Sequence, residues 1–222
     1  MASGVRNALH EVKVTLKYRY YRAFKGGRVL NFQGAKYPYL YRRYNLTVQN
    51  ERAVELPIAW AAASRCAPDR VLEIGNVLAH YYPIKHQVLD KYEVAPGVIN
   101  ADVVDFQPGK QYDLILAIST LEHVGWDEEP RDPPKFRRAV ANLTSLLAPG
   151  GTLLITLPVG YNSEVDTVLR ERALPFTTLG FLKRATPDNI WREADWNAVA
   201  NEKYLTRVPT STAIAVATIV RP

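Results

Sequence analysis

The 222-residue chain has a single cysteine, Cys66, so no disulfide can form within it. This absence leads us to expect a reduced, cytoplasmic setting. Long apolar runs are missing too. The longest, Ala213 to Val220, is far too short to span a bilayer. The first residues lack the apolar core of a signal peptide, so the sequons at Asn45 and Asn142 carry little weight. Internal repeats and low-complexity linkers are absent. Apolar residues at 47% and charged residues at 23% exclude disorder and fit one globular domain with a sizeable core.

Acidic residues are scarce in one part of the chain only. Residues 1–52 hold 11 Lys+Arg against 2 Asp+Glu, a balance of +9, while the remainder holds 17 against 20. The same stretch carries seven of the thirteen tyrosines. We therefore expect an N-terminal basic, aromatic accessory arm over residues 1–55, followed by the main domain over 56–222. Such an arm suits an anionic partner, whether phosphorylated sugar, nucleic acid or membrane surface. The reading favoured is a solvated amphipathic segment whose tyrosines pack on the body, since charge runs are poor evidence of partners.

Beyond the arm, short apolar strands alternate with helices. Leu56 to Ala67 reads as a helix. Val71 to Gly75, Gln87 to Asp90, Gly97 to Asp102 and Tyr112 to Ser119 read as four strands. The fourth is almost wholly apolar, as when both faces of a strand are covered. A helix comes next, with Asp132 as its cap, Pro133 and Pro134 in its first turn and Gly150-Gly151 closing it. Phe136, Val140, Leu143 and Leu147 share its buried face. Thr152 to Leu157 is a fifth strand, and Phe181 to Arg184 and Ala213 to Val220 are a sixth and seventh. The fold class predicted is α/β: a doubly wound, mostly parallel seven-stranded sheet with helices on both faces.

Ligands of such sheets bind beyond the carboxyl ends of the strands, and four strand ends carry polar residues. Glu73-x-Gly75 ends the first, with Asn76 next, and a glycine there permits close backbone approach. Asp90 ends the second, fifteen residues after Gly75, placed to accept from ribose hydroxyls. Asp102 and Val103 come after the third, pairing a side-chain acceptor with a backbone donor as an adenine edge requires. Ser119 to Gly125, containing His123, comes after the fourth.

The succession VLEIG, QVLD, NADVVDF, YDLILAISTLEHVG and LAPGGTLLITLPVG, over about residues 70–160, resembles the class I methyltransferases that use S-adenosylmethionine. The resemblance implies that Glu73, Gly75 and Asn76 lie on the methionine side of that cofactor. Asp90 would hold its ribose, Asp102 and Val103 its adenine, and Ser119 would sit near the sulfonium. S-adenosylhomocysteine would be the product. The sequence departs from the family at Gly75-Asn76-Val77-Leu78-Ala79-His80, which has one glycine where two or three are usual. Val77 and Leu78 are expected to narrow the methionine end.

The acceptor expected is a hydroxyl of a small molecule, such as a sugar or glycan intermediate. His123 offers a base for it, and no Asn-Pro-Pro-aromatic or Asp-Pro-Pro-aromatic motif appears after the fourth strand. His80 is the second candidate base, while His10 lies in the arm and His86 at the far end of the second strand. No metal is expected, since Asp127, Glu128, Glu129 and Asp132 read as a solvated cluster. Two rival readings stand beside this one. The altered loop suggests a methyltransferase-like binding module without catalysis, and the basic arm suggests a nucleic-acid methyltransferase.

Overall fold

A computed structural model describes residues 2–205 and 210–222, with side chains from residue 12 onward. The chain runs α1 (Ala2–Phe24), β1 (Val29–Phe32), β2 (Ala35–Pro38), α2 (Arg52–Ala63), β3 (Val71–Ile74), β4 (Gln87–Leu89), β5 (Val98–Ile99) and β6 (Tyr112–Ile118). It continues through α3 (Lys135–Ser145), β7 (Leu147–Pro158), α4 (Ser163–Glu171), β8 (Thr178–Arg184), β9 (Trp191–Ala194), α5 (Trp196–Val199) and β10 (Ala213–Val220). Single 3-10 turns at Leu78–His80 and Leu121–His123 lie after β3 and β6.

Strands β1 and β2 form a hairpin, and the other eight form one sheet in the order β5-β4-β3-β6-β7-β10-β8-β9. Strands β3 to β7 are parallel. Strand β10 is wedged antiparallel between β7 and β8. The sheet thus has eight strands instead of the expected seven, because β9 adds an antiparallel edge beside β8. From β3 the chain steps outward to β4 and β5, then returns across β3 to β6. That reversal opens a crevice at the carboxyl ends of β3 and β6, where α/β sheets bind ligands.

Alternation along the strands splits the core in two. Ile115 and Ala117 face α3, α4 and α5, meeting Phe136, Val140, Leu143, Val165 and Val168. Leu114, Leu116 and Ile118 face the other way, onto Leu30, Phe32, Tyr39 and Tyr41 of the N-terminal segment and Leu56 and Ala59 of α2. Segment 1–55 therefore shares a core with the sheet. One backbone detail ties it there. Pro57 lies inside α2 and has no N–H to give the carbonyl of Ala53. That carbonyl accepts from Leu40 N at 2.9 Å instead.

Several boundaries differ from the sequence reading. The helix read over 56–67 is α2 and covers 52–63, four residues earlier, with the Arg52–Glu55 pair in its first turn. Asp132 does not cap α3: Pro134 is the cap residue, and the Asp132 carboxylate binds Arg138. Gly150 and Gly151 lie within β7, not after a helix. There the register slips between Tyr112 and Leu114, and a Cβ on Gly151 would stand 2.8 Å from the Tyr112 carbonyl. Leu147 accordingly belongs to β7, although it keeps its place in the core.

Candidate functional site

A cavity of about 540 Å³ opens at the carboxyl ends of β3, β4 and β6. Gly75, Asn76, Asp90, Asp102, Val103, Ser119 and His123 all line it. Of the predicted residues Glu73 alone does not. Its side chain points to the face packed by α2, where a fully buried carboxylate needs partners. Glu73 Oε1 accepts from Val77 N at 2.9 Å and Leu78 N at 2.7 Å, and Oε2 lies 2.7 Å from His86 Nε2. Glu73 thus shapes the loop from behind. His86 is this buried partner and does not face the cavity.

The glycine-poor loop leaves the cavity open. Gly75 has φ +82°, and a Cβ on it would stand 2.4 Å from Thr120 Oγ1, so only glycine fits. Leu78, expected to crowd the cavity, is fully buried in the α2-side core. It packs there because the Glu73 carboxylate draws the 77–78 amides inward. Val77 does line the cavity.

Asp90 comes directly after β4, its backbone N donating to Ile99 O at 3.0 Å across the sheet. Its Oδ1 accepts from the amides of Tyr92 and Glu93 at 2.8 and 2.7 Å, and Oδ2 accepts from Asn76 N at 3.2 Å. The carboxylate is fixed by backbone, with Oδ2 retaining acceptor capacity. Asn76 Nδ2 donates to Glu93 Oε1 at 2.6 Å, while the buried Asn76 Oδ1 has no protein partner.

Asp102 closes the far end within a square of ion pairs. Lys135 Nζ lies 2.6 Å from both Asp102 Oδ2 and Glu128 Oε2, and Lys91 Nζ lies 2.8 Å from Asp102 and 3.2 Å from Glu128. Burial opposes ionisation of Asp102, but the hydrogen bonds from Lys135 and Lys91 outweigh it and lower its pKa to about 2. Val103 is buried beside it, its carbonyl taken by Asn142 Nδ2 at 2.8 Å.

Ser119 ends β6 with φ +42°, a left-handed conformation costly for a non-glycine residue. Its surroundings hold it there. Ser119 N donates to Thr156 O at 3.0 Å, and Ser119 Oγ donates to Glu55 Oε2 at 2.8 Å. Thr156 Oγ1 donates to the same oxygen at 2.9 Å. Glu55 Oε1 pairs with Arg52 at 2.8 Å, and Arg52 also donates to the Ile118 carbonyl at 3.2 Å. The sequence reading missed this buried pair, since neither residue belongs to a strand-end motif. Its only signal was two charges three residues apart inside an apolar helix.

His123 lies at the cavity's open side, its side chain half exposed. His123 Nδ1 is 2.5 Å from Asp127 Oδ2 and 3.0 Å from Tyr161 Oη, and Tyr161 Oη donates to the same Asp127 oxygen at 2.5 Å. Burial tends to raise the Asp127 pKa, but Tyr161 and His123 prevail and hold it below the usual range. Burial and Asp127 push the Tyr161 phenol well up, so it stays a donor. His123 Nε2 is 3.6 Å from Oε1 of Glu122, a buried carboxyl that desolvation raises well above the usual range. Of the acids after His123, Asp127 and Glu129 face solvent, as the sequence reading expects, and Glu128 and Asp132 are partly buried. Three of them are also paired: Glu128 to the lysines, Asp132 to Arg138 and Asp127 to His123. His80 stacks on Tyr44, their ring centroids 4.9 Å apart.

No family model and no curated protein matches the sequence. Similar solved structures include the N-methyltransferase NodS from Bradyrhizobium japonicum WM9 in complex with S-adenosyl-L-homocysteine, 17% identical, covering 78% of this chain and 87% of that one, with a TM-score of 0.48. A possible histamine N-methyltransferase from Thermotoga maritima is 15% identical, over 76% and 88% of the two chains, with a TM-score of 0.44. A TehB-like methyltransferase from Corynebacterium glutamicum is 16% identical, over 76% and 87%, with a TM-score of 0.43. In its strand order, its one strand wedged antiparallel and its crevice at the switch point, the chain has the doubly wound α/β fold expected from its resemblance to the class I methyltransferases.

Proposed function

We propose that the chain transfers the methyl group of S-adenosylmethionine to a hydroxyl of a small molecule, such as a sugar or glycan intermediate. The observation that carries this reading is the charge of the cavity. Asp90, Glu93, Asp102, Asp127 and Glu128 line it together with Lys91, and Lys91 and Lys135 offset Asp102 and Glu128. The remaining carboxylates, Asp90, Glu93 and Asp127, repel the pyrophosphate of a dinucleotide and attract a nucleoside bearing a positive sulfonium. The donor set fits that ligand in other ways. Gly75 leaves room where any side chain would strike Thr120, Asn76 Oδ1 is buried and unpartnered, and Ile74, Leu89 and Val103 supply apolar walls. Leu78 lies outside the cavity, which weakens the rival reading of a scaffold that has lost its cofactor. The single cysteine fits a cytoplasmic setting.

In this reading Asp90 Oδ2 accepts from the ribose hydroxyls, Asp102 and Val103 flank the adenine, and Asn76 and Ser119 face the methionine end. The bound cofactor supplies a methyl group already activated by its positive sulfur. The chain must then align the acceptor and remove its proton. Asp127 holds His123 by Nδ1, which leaves Nε2, 3.6 Å from the Glu122 carboxyl, as the nitrogen that takes a proton, and stabilises the imidazolium once formed. The acceptor's proton would pass to Nε2 as its oxygen took the methyl group, the sulfur–methyl bond breaking to leave S-adenosylhomocysteine. Tyr161, hydrogen-bonded to the same carboxylate, fixes the ring against which the acceptor lies.

Calorimetry with S-adenosylmethionine and with NAD tests the cofactor, with heat expected from the first and none from the second. The reverse overturns the reading. His123→Ala is expected to lower methyl transfer about 100-fold or more with cofactor affinity unchanged, and His123→Gln not to rescue it. Near-normal turnover in both variants would show that His123 is not the base.

A further inference from the structure

Helix α1 presents two unlike faces. Val14 and Tyr21 are buried against the rest of the chain, and Lys17 Nζ donates to Gln49 Oε1 at 3.2 Å. On the other side Val12, Leu16, Tyr20 and Phe24 are 55%, 60%, 49% and 75% exposed. Each lies four residues after the last, so they form one continuous ridge along the helix, about 18 Å long at 1.5 Å per residue. The rings of Tyr20 and Phe24 lie 5.3 Å apart on it. Contiguous apolar surface of this kind marks an interaction site. The exposed Lys13 and Arg19 border the ridge, each three residues from a ridge member at Leu16, and Arg22 extends the basic border. Glu11 is the one acid of the helix.

We propose that this face of α1 docks on a membrane surface bearing anionic lipid, with the helix lying in the plane of the interface. The ridge supplies side chains that enter the acyl boundary, and the border supplies cations for the headgroups. Tyr20 is amphipathic and suits the boundary between them. The charge argues against the alternatives. A second copy would bring the same cations against this border, and a nucleic acid would leave Leu16 and Phe24 unused. Among the described residues no helix is long and apolar enough to cross a membrane, so the attachment is to the surface.

Flotation of the full chain with vesicles tests the proposal. Binding is expected to vesicles of phosphatidylcholine mixed with phosphatidylglycerol, and not to phosphatidylcholine alone. The double variant Leu16→Glu, Phe24→Glu should weaken that binding about tenfold or more, with the thermal midpoint unchanged because both side chains face solvent. Lys13→Gln with Arg19→Gln should weaken it less and reduce its salt sensitivity. Failure to bind the mixed vesicles overturns the proposal, as does undiminished binding by the double variant. So does a ridge variant that only converts a dimer to a monomer in sedimentation.

Discussion

The two faces of the sheet are built on different principles. The face under α3, α4 and α5 is dry: Phe136, Val140, Leu143, Val165 and Val168 meet aliphatic strand residues. The face under α2 and the N-terminal segment mixes an apolar layer with buried carboxylates, among them Glu51, Glu55 and Glu73, and the mostly buried Arg52. Buried charges are costly unless fully paired, and here they sit behind the cavity, where Glu55 holds Ser119 and Glu73 holds the 75–78 loop. The dry face gives stability, and the ionic face gives stability together with the shape of the site.

Removing residues 1–50 breaks the comparison outright. It uncovers Leu114, Leu116, Leu154 and Val216, which now pack on Leu30, Phe32 and Tyr41. The truncated chain is expected to lose cooperative folding, measurable by circular dichroism and thermal scanning. A folded truncation would show that α2 alone covers that face.

Paired truncations sharpen the contrast. Glu55→Ala strands Arg52 in the interior and should cost about 3–5 kcal/mol. Phe136→Ala opens a cavity on the dry face at a similar cost of about 3–5 kcal/mol. Denaturant unfolding would report both losses. Only Glu55→Ala should also weaken cofactor binding, because Ser119 loses its anchor. Equal cofactor affinity in the two variants would separate the ionic face from the site. Closer to the ligand, Asp90→Ala should leave the fold intact and lower cofactor affinity by about 1–3 kcal/mol, read by calorimetry.

The smallest effects concern pH, and they carry opposite signs. Asp102 has a folded pKa of about 2, below its unfolded value. Its stabilising contribution is present above the ordinary carboxylate range and is lost as pH falls from there towards 2. Glu122 is raised, so its burial destabilises the fold progressively as pH rises above the unfolded value. Glu122→Gln should therefore gain on the parent chain as pH rises, and Lys135→Met should flatten the acid limb. Unfolding midpoints across the pH range would check both.

The motifs at the strand ends made much of the crevice legible. Gly75, Asp90, Asp102 and Ser119 were visible because a parallel sheet exposes the residues just after each strand, and periodicity located the strands. Glu73 looked equally exposed in the sequence, yet strand alternation turns it inward. Asp127 and Tyr161 could not be joined to His123, since Tyr161 arrives from beyond β7, 38 residues away. The Arg52–Glu55 pair was silent because its partners Ser119 and Thr156 lie 64 and 101 residues from Glu55.

The sequence by itself determined the strand–helix alternation, the charge imbalance and the residues at the strand ends, all of which depend on spacing along the chain. Tertiary structure alone decided which carboxylates reach the cavity and which brace it from behind. A side chain's direction depends on strand register, and its ionisation on burial and on partners that are neighbours only in space.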